Sequence, residues 1–502
     1  MDEVWAVLEP AESATLGELF RSDPDRLARL TVEEAGILFD FSKTHLDAAL
    51  LDGFLGLAEA AGLAARRAAM FAGETVNPTE GRPAEHTAER GEGAPKSVAR
   101  ARRFHARMRT LVDAMEADAF GSVRHILHVG IGGSALGPKL LVDALGRDAG
   151  RYDTAIVSNV DGAALEEAIR GFDPHATLLV IASKTFTTTE TMLNAASALS
   201  WMEEHGVVDP YGRVVALTAS PDKAIEFGVD ETRILPFSES VGGRFSLWSS
   251  IGFPAAMALG WDAFESLLEG AAAMDRHFRL APFARNAPVL AAFVDRYYAN
   301  VRKVESRAVF AYDERLRLLP DYLQQLEMES NGKSARLDGS PAGRATSPIV
   351  WGGVGTDAQH AVFQLLHQGT HLVPVEFVAS VEPGDTLAPD HHRQLLVNAF
   401  GQGAALMAGR RSDDPHRDYP GDRPSTTLLL DRLDPRTLGA LIAFYEHRVF
   451  ANAALLGINP FDQFGVELGK EMARALDASS DSAEFDPSTQ ALIARALGGV
   501  EA

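Results

Sequence analysis

Short apolar runs rich in β-branched residues alternate with helical patterns along most of this chain. From about residue 96 such runs recur at 126–129, 154–157, 178–181, 214–217 and 233–235. A second series follows after about residue 305, at 308–311, 348–351, 372–378 and 426–430. Near-continuous apolar strands separated by helices are typical of parallel sheets covered by helices on both faces. The sequence therefore predicts an α/β protein with two mainly parallel sheets.

The sequence outside these two series has a helical pattern. Residues up to about 72 have helical spacing, and the turn-rich stretch 74–86 that follows is interpreted as a connecting loop. We predict an N-terminal helical segment and loop, two α/β domains and a C-terminal helical segment, over 1–95, 96–275, 276–455 and 456–502.

One predicted helix carries an acidic residue on its apolar face. The helix ends near Gly332, and its apolar face is formed by Leu319, Tyr322, Leu323 and Leu326. At 100° per residue Glu329 falls within this face, whereas Glu327 points away and is expected to be solvated. Burial and the negative end of the helix dipole both disfavour a charged carboxylate. Glu329 is therefore either a general base or a structural acid paired with a buried Arg or Lys.

Composition and charge narrow the classes of function. The 502 residues include 47 Lys and Arg against 69 Asp and Glu, a net charge of −22, which argues against nucleic-acid or anionic-membrane binding. There is no cysteine, which excludes disulfides and Cys-ligated metals. The acidic N-terminus does not resemble a signal peptide, and no apolar stretch approaches the length of a membrane span. We expect a cytoplasmic protein.

A glycine-rich loop follows the first predicted strand. Gly130, Gly132 and Ala135 match the G-x-G-x-x-A pattern of dinucleotide sites. The doubled glycine at Gly133, followed by Ser134, also suits a pocket of backbone amides around a small anion. Both interpretations remain open from this loop alone.

The loop after the strand at 178–181 is rich in hydroxyl groups. It combines Lys184 with four such side chains, those of Ser183, Thr185, Thr187 and Thr188, and precedes a helix. The spacing of Thr187 and Glu190 predicts a capping box, which is the alternative use of these hydroxyls. Hydroxyls, a lysine and free amides at a helix N-terminus favour a phosphate site.

Arg244 and His360 each have both a functional and a structural interpretation. Arg244 follows Gly242-Gly243 and suits an oxyanion stabiliser or a buried structural Arg, which would be a partner for Glu329. His360 is predicted in the first turn of a helix capped by Thr356 and Gln359, where an interface histidine is the alternative.

Lys470 lies seven residues after Gln463, on the same face of a helix if that helix begins early enough; a surface charge is its alternative interpretation. The histidine pairs lack the acidic partners of a metal site, so no metal is expected.

Six segments, taken together and in this order, resemble the phosphoglucose isomerase (glucose-6-phosphate isomerase) family. They are GIGGSALGP, ASKTFTTTET, VGGRFS, LEMESNGK, GTDAQHAVFQLLHQGT and FDQFGVELGK, within about residues 70–475. The resemblance implies two sugar-isomerase (SIS) α/β domains and a homodimer that uses neither metal nor cofactor. It also implies reversible conversion of glucose 6-phosphate to fructose 6-phosphate in glycolysis and gluconeogenesis.

The resemblance also implies roles for individual residues. Glu329 matches the base that moves the proton between C1 and C2, and Arg244 the arginine that stabilises the cis-enediolate. His360 matches a ring-opening histidine that reaches the site from the neighbouring subunit, and Lys470, in the C-terminal segment, a lysine that assists. The phosphate clamp would be Ser183, Lys184, Thr185 and Thr188, with further substrate contacts from Gly133, Ser134, Gln325 and Gln463. Ala135 and Glu327 stand where the family commonly has Asp.

Two rival functions and one closer alternative remain. The glycine loop would also suit a dinucleotide-dependent dehydrogenase, and the phosphate loop a non-catalytic SIS module that senses sugar phosphates. The latter predicts no set equivalent to Glu329, His360 and Lys470. A bifunctional phosphoglucose/phosphomannose isomerase differs only around the sugar C2, which the sequence does not settle.

Overall fold

A computed structural model describes residues 1–11, 14–147, 150–478 and 485–497. Its strands are β1 Thr31–Glu34, β2 Ile37–Asp40, β3 His125–Gly130, β4 Asp153–Val157, β5 Thr177–Ala182, β6 Val214–Thr218, β7 Ile234–Pro236, β8 Ser306–Tyr312, β9 Ile349–Val354, β10 Val375–Ser380 and β11 Ser425–Leu430. The two predicted strand series are therefore present, with boundaries shifted by a few residues.

The α-helices connect and cover these strands. They are α1 Asp2–Leu8, α2 Leu16–Ser22, α3 Arg26–Leu30, α4 Ala48–Ala60, α5 Leu63–Phe71, α6 His86–Glu89, α7 Pro95–Glu116, α8 Leu136–Leu145, α9 Gly162–Ile169, α10 Thr189–Glu204, α11 Pro221–Phe227, α12 Phe253–Leu259, α13 Trp261–Leu280, α14 Ala287–Arg296, α15 Leu319–Gln324, α16 Gly355–Gln368, α17 Pro389–Ala408, α18 Pro435–Leu456, α19 Glu467–Ala478 and α20 Pro487–Ala496. Two helices continue into π-helical turns, Tyr297–Val301 after α14 and Gln325–Glu329 after α15.

The strands form two sheets. The first is parallel throughout, in the order β4-β3-β5-β6-β7, and the second has the order β1-β2-β11-β10-β8-β9. Strands β11, β10, β8 and β9 run parallel to one another. The predicted α/β class with mainly parallel sheets flanked by helices is confirmed.

The prediction of an entirely helical stretch up to about residue 72 is wrong at 31–40. Strands β1 and β2 form a hairpin whose two-residue turn, Ala35-Gly36, has positive φ angles of 51° and 77°. Strand β2 then pairs antiparallel with β11, so that Phe39 lies opposite Leu428. Turns of this kind favour Asn-Gly or Asp-Gly, and Ala in the first position hides the hairpin signal.

The long helix α18 is buried from Thr437 to Leu456 and packs against α13 and α14. A helix surrounded by protein is apolar on all sides unless its charges are paired. Here Glu446 pairs with Arg90 and Arg448 with Asp295, and the ring of His447 is hydrogen-bonded to Asp275. The core of the protein therefore contains paired ionic and polar groups beside its aliphatic and aromatic residues.

Residues Met1–Phe461 form one compact unit and Asp462–Ala502 a second. Among the described residues, no single helix has the length and apolarity to cross a membrane, although the bent pair α4 and α5 together meets both criteria.

Candidate active site

The carboxylate of Glu329 faces the guanidinium of Arg244. Nη1 of Arg244 lies 3.6 Å from Oε1 of Glu329, and the two side chains are 2% and 20% exposed. The other carboxylate oxygen of Glu329 accepts a hydrogen bond of 2.7 Å from Nε2 of Gln325. The predicted pairing of Arg244 with Glu329 is confirmed, and the carboxylate stays partly open.

Arg244 is fixed independently of Glu329. It lies in a short 3₁₀ turn, Gly243–Phe245, and Nε donates to Oγ of Ser330 at 2.6 Å. Its Nη2 donates to the carbonyl of Pro460 at 2.5 Å. Because these two bonds fix the guanidinium, its Nη1 keeps facing the carboxylate of Glu329, as a preorganised electrostatic stabiliser requires.

The π-helical turn explains why the prediction for Glu327, made at 100° per residue, is wrong. The predicted helix over 320–331 is α-helical to Gln324, has the wider π geometry over Gln325–Glu329, and is α-helical again at Ser330 and Asn331. Such π turns are frequent at functional sites. Glu327 is therefore not solvated as predicted. It is 2% exposed, accepts a hydrogen bond from Nδ2 of Asn331 at 3.1 Å and lies 3.5 Å from Nη2 of Arg307.

The glycine loop packs directly on the turn that carries Arg244. A Cβ added to Gly133 would lie 2.1 Å from the carbonyl carbon of Gly243 and 2.5 Å from the amide nitrogen of Arg244. Gly132 has a φ of 58°, and a Cβ there would lie 3.0 Å from Nε2 of Gln325. The loop therefore meets both Arg244 and the π-helical turn. The half-buried Ser134 ends a 3₁₀ turn at the start of α8, where its carbonyl accepts a hydrogen bond of 2.7 Å from His128.

The hydroxyl-rich loop lies at the carboxyl end of β5, the edge of a parallel sheet where ligands bind. Thr188 is the N-cap of α10 and makes no side-chain capping bond, so the predicted capping box of Thr187 and Glu190 is wrong. Oγ1 of Thr188 instead lies 3.0 Å from Oγ of Ser183, and Thr187 donates to Oγ1 of Thr185 at 2.9 Å. These hydroxyls face one another in front of the helix N-terminus.

Lys184 is anchored to the stretch just before Arg244. Its ammonium donates to the carbonyls of Glu239, at 2.7 Å, and Val241, at 3.1 Å. Burial lowers the pKa of Lys184 to about 8, and the nearby charge of Arg82 adds to the effect. The ammonium has three donors, and two are used here, which leaves one for an anion. The side chain of Lys184 thus links the hydroxyl-rich loop to the main chain just before Arg244.

His360 is exposed and lies in α16. The helix begins at Gly355 after Val354, with no side-chain cap, so the predicted capping box of Thr356 and Gln359 is wrong. Gln359 instead accepts a hydrogen bond of 2.6 Å from the hydroxyl of Tyr312. An exposed position suits a side chain that acts on a neighbouring molecule, and the assignment to an interface remains a prediction.

Gln463 and Lys470 belong to the second unit. Helix α19 begins at Glu467, so Gln463 precedes the helix and does not share a helical face with Lys470, contrary to the spacing argument. Gln463 is half-buried and Lys470 is exposed. Their roles in the site remain predictions.

The stretch interpreted as a connecting loop, 74–86, supports the site and is largely buried beyond Pro83. His86 stacks on Phe245 with ring centres 4.9 Å apart, and burial holds the pKa of His86 well below its ordinary value. Glu85 is bonded to Ser240, next to the carbonyls that hold Lys184. Sequence reasoning missed both residues, because turn formers concealed how deeply this stretch is packed.

Taken together, the first unit holds a carboxylate beside a guanidinium, and a separate set of hydroxyls with a lysine. The carboxylate and the guanidinium can move a proton and stabilise an adjacent oxyanion, while the hydroxyls and the lysine can bind a phosphate group at a separate point. In the described residues, no cluster of three or more His, Asp or Glu side chains is arranged to hold a metal ion.

Comparison with known proteins places the chain in a family. The profile of the phosphoglucose isomerase family matches residues 40–493. The chain is 74% identical over 494 residues to a glucose-6-phosphate isomerase of Rhizorhabdus wittichii, covering 98% of this chain and 99% of the relative. It is 64% identical over 497 residues to that of Zymomonas mobilis, covering 99% and 98%.

A solved structure shows the same fold at lower identity. The crystal structure of a glucose-6-phosphate isomerase from Chlamydia trachomatis superposes with a TM-score of 0.89 at 30% identity, covering 98% of this chain and 97% of that one. Because the family profile and the relatives each span nearly the whole sequence, the chain belongs to the phosphoglucose isomerase family of enzymes.

Proposed function

We propose that this enzyme interconverts glucose 6-phosphate and fructose 6-phosphate through ring opening and a cis-enediolate. The observation that carries the proposal is the position of the Glu329 carboxylate, 3.6 Å from the guanidinium of Arg244. The main-chain carbonyls of Glu239 and Val241, just before Arg244, bind the ammonium of Lys184. The relatives named above are glucose-6-phosphate isomerases by name, which supports the proposed substrate. We place the reaction in glycolysis and gluconeogenesis, in the cytoplasm.

The phosphate of the substrate is held away from the reacting carbons. Ser183, Lys184, Thr185 and Thr188 bind it, with the N-terminus of α10 adding a favourable dipole. Gly133, Ser134, Gln325 and Gln463 contact the sugar phosphate. Binding energy from the distant phosphate then positions C1 and C2 beside Glu329.

The first chemical step opens the sugar ring. The bond between C1 and the ring oxygen breaks, the ring oxygen takes a proton, and the C1 hydroxyl gives one up to become the aldehyde. The partner subunit's His360 supplies the acid and base for this step, and Lys470 assists it. This assignment requires a homodimer, and the exposure of His360 on α16 is in keeping with it.

The second step is the isomerisation itself. Glu329 takes the proton from C2, and the C1 aldehyde becomes an enediolate. The proton of the C2 hydroxyl passes to O1, and Glu329 returns its proton to C1, which leaves the carbonyl of the ketose at C2. Arg244 stabilises the negative charge that develops on the enediolate oxygens. No electrons leave or enter the substrate overall, so the carboxylate, the guanidinium and the ring-opening groups suffice.

The test is a turnover assay with purified protein and fructose 6-phosphate, in which the glucose 6-phosphate formed is measured directly. Mannose 6-phosphate in parallel reports how strictly C2 is read. Micromolar binding of a nicotinamide cofactor without isomerase turnover would favour the dehydrogenase instead. Sugar-phosphate binding without turnover would favour the non-catalytic sensor. Either result would overturn the proposal.

A further inference from the structure

One turn, 238–244, connects two parts of the site. The carbonyls of Glu239 and Val241 hold the ammonium of Lys184, and the turn continues through Gly242-Gly243 to Arg244. Because the carbonyls are main-chain atoms, the position of the ammonium is set by whatever fixes this turn. The turn therefore needs its own support.

Glu85 fixes the turn by two bonds to one residue. The amide of Glu85 donates to the carbonyl of Ser240 at 3.0 Å, and the hydroxyl of Ser240 donates to Oε2 of Glu85 at 2.5 Å. Ser240 lies between the two carbonyls that hold Lys184. A main-chain bond and a side-chain bond to the same residue remove both translation and rotation of the turn at that point.

The carboxylate of Glu85 is itself held from behind. It is paired with Arg100 and accepts a bond from the hydroxyl of Ser97, and Glu85 as a whole is 8% exposed. Burial acts to raise the pKa of Glu85, but the bonds from Ser240, Ser97 and Arg100 bring it below its ordinary value. An ionised carboxylate bonded on both oxygens is a rigid anchor, because each bond to a charged group is stronger than a neutral one.

We infer that Glu85 is a positioning residue for phosphate binding, acting through Ser240 and the carbonyls of Glu239 and Val241 on the ammonium of Lys184. The inference rests on the proposed function only in taking the substrate's phosphate as the anion that Lys184 binds. Arg244 is held separately by Ser330 and Pro460. Loss of Glu85 is therefore expected to weaken binding and to leave the chemical step nearly intact.

The test is a double-mutant cycle of Glu85→Gln and Lys184→Met. Glu85→Gln keeps the size of the side chain and removes its charge. We expect its KM for fructose 6-phosphate to rise about tenfold, with kcat within about threefold of the unmutated enzyme. In the Lys184→Met background, adding Glu85→Gln is expected to change KM by less than about twofold, because the group it positions is gone.

A merely structural role gives a different result. If Glu85 only stabilised the fold, the same factor in KM would appear with and without Lys184, or KM would not change while the melting temperature fell; either result overturns the inference. Ser97→Ala is a graded comparison, since it removes one bond behind the carboxylate and none to the turn; it should raise KM by less than Glu85→Gln does. If Glu85→Gln fails to fold, Ser240→Ala keeps the main-chain bond to Glu85 and removes the hydroxyl that bonds the Glu85 carboxylate and also contacts Ser238 and Arg100. It should raise KM about threefold when Lys184 is present and leave KM unchanged in Lys184→Met.

Binding of inorganic phosphate, measured by calorimetry on the same four proteins, separates this inference from the proposed function. If the unmutated protein binds phosphate but turns over no fructose 6-phosphate, the proposed activity is wrong. The double-mutant cycle, measured as phosphate affinity, then still tests the role of Glu85. Equal phosphate affinity in the unmutated protein and Glu85→Gln would overturn the positioning role, whatever the activity.

Discussion

Gly133 and Arg244 touch through their main chains, although they come from different loops of the first unit. A Cβ on Gly133 would lie 2.5 Å from the Arg244 amide nitrogen and 2.2 Å from the carbonyl oxygen of Gly243, distances that no relaxed Cβ adopts. The neighbouring atoms are backbone and cannot turn away. The contact therefore fixes how deep the Arg244 turn sits in the site.

Replacing this glycine is expected to displace Arg244. We predict that Gly133→Ala lowers kcat/KM by at least about a hundredfold, because a shift of about 1 Å in a charge-stabilising group is costly. Gly56→Ala in α4, where a Cβ would meet nothing within 4 Å, is the control and should leave turnover unchanged. Normal activity in Gly133→Ala would mean that the turn tolerates displacement.

The carboxylate of Glu329 is expected to be the base. Glu329→Gln should bind sugar phosphate within about threefold of the unmutated affinity while kcat falls by at least about a thousandfold, since the amide cannot take the proton. Loss of deuterium from C2-labelled substrate should fall with it. Asp321→Asn, an exposed acid on α15, is the control. Turnover at the unmutated rate in Glu329→Gln would remove it from the base role.

The titration of Lys184 predicts how substrate affinity depends on pH. Its pKa in the folded protein is lowered to about 8, and the ammonium is the form that attracts phosphate. Affinity should therefore be nearly full at pH 7 and fall as the pH rises through 8, with KM increasing about tenfold between pH 7 and pH 9. In Lys184→Arg this increase should be absent, because a guanidinium stays charged. The same increase in Lys184→Arg would assign it to another group.

Mixed dimers test whether His360 crosses the interface. Chains carrying Glu329→Gln and chains carrying His360→Ala are each expected to be inactive alone. In a heterodimer one site carries both changes and the other carries neither, so random mixing should restore about a quarter of full activity. Activity that stays at the level of the separate mutants would show that each site is built from a single chain.

The buried acid Asp295 is expected to matter for stability. Its carboxylate pairs with Arg307 at 2.7 Å and Arg448 at 2.6 Å. Although burial acts to raise the pKa of Asp295, these two arginines hold it well below its ordinary value. Asp295→Ala removes the acid that the two arginines share and leaves each with one remaining partner, Glu376 for Arg448 and Glu327 for Arg307. The variant should lower the free energy of unfolding by about 3 kcal/mol in urea denaturation, at the lower end of the range for a broken buried ion pair.

An exposed ion pair provides the contrast. Arg170 and Glu167 lie 2.7 Å apart on the surface, with side chains 73% and 68% exposed. Glu167→Ala should change the free energy of unfolding by less than about 1 kcal/mol. Equal losses in the two variants would contradict the role given to the buried network.

Strand positions were predictable because near-continuous apolar runs such as Leu178–Ile181 have few other uses in a chain of this composition. The hairpin at 31–40 was not, since its strands are four residues long and its place in the sheet comes from the pairing of β2 with β11, about 390 positions away. A local pattern carries no information about such a partner.

The same difference between local patterns and distant contacts applies to the residues of the candidate site. Glu329 and Arg244 stood out because each is a charged residue in an apolar or glycine-rich setting. Glu327 was misassigned, since a projection at 100° per residue does not apply across the π-helical turn. Glu85 was missed because its partner Ser240 is 155 positions away, and a Glu in a turn-rich stretch looks solvated.

The pairing of β2 with β11 also bears on how the chain is made. Strands β3 to β7 lie within residues 125–236, so the first sheet can assemble as soon as the ribosome has released that stretch. The second sheet cannot close until β11 emerges, and the hairpin synthesised first must wait for it. Non-local pairings of this kind are slow. We expect the nascent protein to carry a finished first sheet and an unpaired N-terminal edge for most of its synthesis, which makes that edge a natural client for chaperones.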